Sequence, residues 1–88
     1  MVRYEEREKQ RIYVIRSTIE EHTRGSWADC ERIYNDLSDR SRTQDSLIRV
    51  YKDLDKDEMR RLTRTTEWDA LRDQIKRRLH NVCSLRSY

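Results

Sequence analysis

Apolar residues recur at three- and four-residue intervals along nearly all of this chain, and almost nothing interrupts a helix: its 88 residues include one glycine and no proline. Proline removes a backbone donor and a mid-helix glycine costs about 1 kcal/mol relative to alanine, so this pattern predicts an all-α fold. The length fits one domain. With 42% charged and 34% hydrophobic residues the composition approaches that of disordered chains. Regular spacing of the apolar residues predicts instead a folded protein with a small core.

The spacing divides the chain into segments. A first helix is expected from Tyr4 to about His22, with Ile12, Ile15 and Ile19 on one face and Tyr13 off it, exposed. Gly25 is its natural stop, and Ser26 with Asp29 reads as a capping pair for a second helix starting at Trp27. Trp27, Cys30, Ile33, Tyr34 and Leu37 form that helix's apolar stripe. A polar break over Ser38, Asp39, Arg40 and Ser41 follows, and Ser41 with Gln44 is a second capping signal. Asp55 with Glu58 reads as the cap of a further helix, although nothing between Arg42 and Thr63 forbids one long helix; the break is the expected outcome. Thr65 or Thr66 then opens a last helix carrying Trp68, Leu71, Ile75, Leu79 and Val82. The expected architecture is a three-helix core over residues 1–58 and a basic amphipathic extension over 59–88, packed on the core or on a partner.

Charge is unevenly placed. Residues 1–58 hold twelve Lys/Arg against fourteen Asp/Glu, whereas residues 59–88 hold eight against three, so the net charge of +3 originates in the C-terminal part. No apolar run approaches the ~20 residues of a membrane span, and no secretory leader pattern is present, so a soluble, intracellular chain with no membrane partner is expected. Cys30 and Cys83 make no ligand-spaced pair, and reduced thiols are expected. His80 and Cys83 are spaced like metal ligands, but Cys30 falls on an apolar stripe and reads as a core thiol, so no metal is expected. One glycine cannot build a phosphate loop and no catalytic arrangement stands out; no enzyme activity, cofactor or small-molecule substrate is expected.

The segment Arg42–Lys56 carries the functional reading. Projected at 100° per residue, Thr43, Gln44, Val50, Tyr51 and Leu54 fall near Leu47, while Arg42, Asp45, Arg49, Lys52, Asp53 and Lys56 fall opposite. Following a short tryptophan-bearing helix, this is the sequence form of a helix-turn-helix that presents its last helix. Arg42, Arg49, Lys52 and Lys56 are then candidates for base edges or phosphates, and Arg60, Arg61 and Arg64 for the backbone. Surface ion pairing, such as Arg49 with Asp53, explains the same charges. Trp27, Tyr34, Tyr51 and Trp68 read as core aromatics.

The order Tyr4, Trp27, Tyr51 resembles the three spaced aromatics of Myb/SANT domains, with two tryptophans replaced by tyrosine. Arg42-Thr43, Leu47 and Tyr51-Lys52-Asp53-Leu54 are similar to the third helix of the trihelix and MADF branch of that superfamily, the likeness covering roughly residues 4–56. The resemblance implies a three-helix core whose third helix enters the DNA major groove, in a nuclear, chromatin-associated protein. It also implies an alternative, since SANT-type members use the equivalent surface to bind proteins. In that case the stripe Trp68, Leu71, Ile75, Leu79 and Val82 would pair with a helical partner or a second copy. Duplex DNA is the favoured partner, although Asp45 and Asp53 on the outer face depart from the DNA-reading pattern.

Overall fold

The computed structural model describes residues 5–22, 27–38 and 41–86, with side chains to Leu79. The described residues form five helices: α1 (Glu6–His22), α2 (Trp27–Leu37), α3 (Gln44–Asp53), α4 (Lys56–Leu62) and α5 (Thr66–Arg86). The chain is therefore all-α, as the spacing predicts. Tyr4 and the Gly25–Ser26 stop-and-cap signal lie outside the described residues.

α1 is the central element and touches all four other helices, most extensively α5. With α2, α3, α4 and α5 all packed on α1, four consecutive residues, Ile12, Tyr13, Val14 and Ile15, are buried. This corrects the expectation for Tyr13, which is 7% exposed. A single-stripe reading assumes one covered face, and α1 has more than one.

Trp68, Ile75 and Leu79 of α5 and Met59 of α4 belong to the same core as Ile15, Ile33, Tyr34 and Leu47. Leu71 packs against it, half-buried. Of the expected interaction stripe, Trp68, Ile75 and Leu79 are thus buried within the chain, whereas Leu71 is partly exposed; the side chain of Val82 lies outside the described residues. Polar contacts fasten α5 along its length. Arg7 pairs with Glu67 and lies over the Trp68 ring, and Arg78 pairs with Asp36 of α2 at 3.1 Å. Arg72 donates to the carbonyl and hydroxyl oxygens of fully buried Thr63, each at 3.0 Å, closing the α4–α5 corner.

The expected break after α3 is present. Asp55 is the N-cap of α4, its carboxylate accepting from the backbone N–H groups of Asp57 and Glu58 at 3.1 and 3.2 Å. Among the described residues no helix is long and apolar enough to cross a membrane.

Candidate nucleic-acid interface

α3 is held by side chains at both ends. Its N-cap is Thr43, in extended conformation, whose hydroxyl accepts from Ser46 N–H at 3.2 Å. Ser41 is not the cap, a correction that follows from α2. Asn35 receives the Arg42 N–H at 2.8 Å and donates to the Arg42 carbonyl at 3.2 Å, which keeps the chain extended two residues further. The Glu31 carboxylate then accepts from Gln44 N–H at 2.6 Å, satisfying a second donor of the first turn and placing negative charge at the positive end of the helix.

Beneath this turn lies a buried polar cluster. Arg42 donates through Nε and Nη2 to one Glu8 oxygen at 3.3 and 3.0 Å, and the Tyr34 hydroxyl donates to the same oxygen at 3.1 Å. Burial alone would raise the Glu8 pKa, but the hydrogen bonds from Arg42 and Tyr34, with the charge of Arg42, hold it below the usual carboxylate value. Burial pushes the Tyr34 hydroxyl upward. Arg42 therefore anchors the connection between α2 and α3 and does not face a ligand. The sequence projection put it outward by extending the helical angle past Thr43, where the chain is no longer helical.

Lys56 is corrected for the same reason. It follows the extended Leu54 C-cap, and its ammonium turns back to donate to the carbonyls of Tyr51 and Leu54 while lying 4.3 Å over the Tyr51 ring. A cation at a helix C-terminus complements the orphan carbonyls there. Tyr51 meets Trp27 edge-on at 5.5 Å, and the Arg16 guanidinium covers Trp27 at 4.3 Å. Trp27 and Tyr51 thus pack on the core, as predicted, within a stack whose two ends are cations.

What α3 leaves in solvent is Asp45, Arg49, Lys52 and Asp53, all exposed. The Arg49 and Lys52 side chains make no ion pair among the described residues, so the alternative pairing of Arg49 with Asp53 is not formed. Arg60, Arg61 and Arg64 of the α4 region are also exposed, but their surroundings differ. Arg60 shares an open groove with Glu20 and Glu21, and Arg61 sits among Asp55, Asp57 and Glu58. The local field at both is mixed. Ile48, on the flank between the two projected faces, is of intermediate burial.

Cys30 is buried, 2% exposed, with the Arg16 guanidinium 3.3 Å from its sulfur. Burial pushes the thiol pKa up, against the opposing pull of Arg16. Among the described residues no three His, Cys, Asp or Glu side chains converge as metal ligands. The His80 and Cys83 side chains lie outside the described residues. The chain matches no protein-family model, no curated protein and no solved structure.

Proposed function

We propose that this chain is a Myb/SANT-like helix-turn-helix module that binds duplex DNA, with the outward face of α3 in the major groove. The observation that carries the reading is the asymmetry of α3. Its inner face and both ends are tied down by Leu47, Glu31, Asn35, Thr43 and Lys56, while its outer face carries two exposed cations, Arg49 and Lys52, that make no ion pair among the described residues. A helix fixed in register at both ends presents its outer side chains without further backbone ordering cost, which favours base readout. Ten residues at 1.5 Å each make it about 15 Å long, enough to lie across a groove ~12 Å wide. Arg64 supplies backbone charge, with Arg60 and Arg61 contributing less because of their acidic neighbours. A nuclear, chromatin-associated setting goes with that ligand.

A second reading has its own support. Asp45 and Asp53 balance Arg49 and Lys52, so the exposed charges of α3 sum to zero, which suits a mixed-charge protein surface as well as a polyanion. Titrating labelled protein with a 20-base-pair duplex at low salt, followed by amide NMR, tests the first reading. DNA binding predicts shifts concentrated at Asp45, Ile48, Arg49 and Lys52. The absence of any shift at saturating duplex removes it and leaves the protein-binding reading.

A further inference from the structure

Between α1 and α4 lies an open groove of about 330 Å³, at the lower end of the ~300–1,000 Å³ range of small-molecule pockets. α1 lines it with Tyr13, Ser17, Glu20 and Glu21, α4 with Lys56 and Arg60, and Tyr51 of α3 joins them. Both helices are anchored in the core, through buried Ile19 of α1 and Met59 of α4. The acidic and the basic side therefore keep their separation instead of collapsing into ion pairs. Glu21 and Arg60 are exposed and form no ion pair among the described residues. The Lys56 ammonium forms none either, being held by the neutral carbonyls of Tyr51 and Leu54. Of the four charges only Glu20 is paired, with Arg16 at 2.8 Å.

The geometry points to this groove as a binding site for a neutral α-amino acid in its zwitterionic form, the ammonium held by Glu21 and Ser17 and the carboxylate by Arg60 and Lys56. Two carboxylates on one helix face two cations on another, so the lining has no net charge but a fixed separation of sign. A net-neutral, dipolar ligand satisfies both sides at once, whereas a phosphate or a simple amine meets one repelling side. The Ser17 hydroxyl donates to the Val14 carbonyl at 3.2 Å, which leaves its oxygen to accept from the ammonium. Arg60 supplies a planar fork that matches a carboxylate. Charge pairs in an open groove are individually weak, so a dissociation constant on the order of 1 mM is expected. The site is separate from the outer face of α3 and does not depend on the DNA reading.

Amide NMR of the full chain, titrated with each neutral amino acid in turn, tests the assignment. The expected result is saturating shifts at Ser17, Glu21, Tyr51 and Arg60 with at least one of them. The tightest binder is then compared with its C-terminal amide, which lacks the carboxylate, and with its N-acetyl derivative, which lacks the ammonium. Each should bind at least about threefold more weakly, the scale of one lost exposed pair. Arg60→Gln should abolish the preference for the acid over the amide, and Glu21→Gln the preference for the free amine over the N-acetyl form. Both positions are exposed, so the variants should keep the fold, which circular dichroism checks. The ligand derivatives decide the matter on the parent chain even where a variant fails to fold. No saturating shift in the groove with any amino acid overturns the proposal, and so do derivatives that bind as tightly as the amino acid itself.

Discussion

Replacing Arg42 by alanine is expected to destabilise the fold by about 3 kcal/mol, far more than an exposed phosphate-contacting arginine would. Arg42 donates two of the hydrogen bonds received by a Glu8 oxygen, and the Glu8 and Arg42 side chains are only 10% and 12% exposed. A hydrogen bond to a charged group contributes about 1.5–3 kcal/mol, and breaking a buried ion pair costs about 3–5 kcal/mol because the remaining charge stays buried. Partial exposure puts this pair at the lower end. A chain of this length is stable by roughly 4–13 kcal/mol, so the loss is a large fraction of the total. It corresponds to a fall in Tm of about 12–24 °C. Urea unfolding at pH 7 gives the value from the shift in midpoint at constant slope. The double variant Glu8→Leu with Arg42→Met, which removes both charges, should recover most of the loss. An Arg42→Ala variant within about 0.5 kcal/mol of the parent would refute the structural role assigned to this arginine.

Three further outcomes follow from the same contacts. Ile75→Asp places a carboxylate at a fully buried core position and should leave the chain largely unfolded by circular dichroism, where a free dimer seam would give a folded monomer. The folded-state pKa of Glu8 is depressed below 4.5, so its stabilisation is present above that pH and is lost as pH falls through the folded value. Urea midpoints measured from pH 7 to pH 3 should therefore drop more steeply for the parent than for Glu8→Gln. Lys56→Met removes the cation from the α3 C-terminus and from the Tyr51 ring, which should cost about 1 kcal/mol in urea unfolding while leaving duplex affinity nearly unchanged.

The helices and most of the core were legible because apolar spacing and caps are local signals. The α2 stripe and the Asp55 cap needed only neighbouring residues to recognise. The start of α3 was not legible, since Asn35 and Glu31 act on it from another helix and override the Ser41 signal. Arg42 and Lys56 were misplaced because a helical projection was continued over extended backbone on either side of α3. Tyr13 was misplaced because α1 is covered on more than one side. The covering of the α5 stripe is not readable from its periodicity, which is the same whether α1 or a second chain covers it; in the structure Trp68, Ile75 and Leu79 are buried within the chain.

The central claim is that the outer face of α3 binds duplex DNA, and its most direct test is the salt dependence of affinity for the parent and for Arg49→Glu with Lys52→Glu. Both sites are exposed, so the double variant should keep the parent fold. Fluorescence anisotropy with a labelled duplex at several salt concentrations gives log K against log salt, with a slope of about −0.9 per neutralised phosphate. Tight binding of the parent at low salt, a linear fall with salt, and loss of binding in the double variant are predicted. No complex at low salt, or a double variant that binds as the parent does, would contradict the claim.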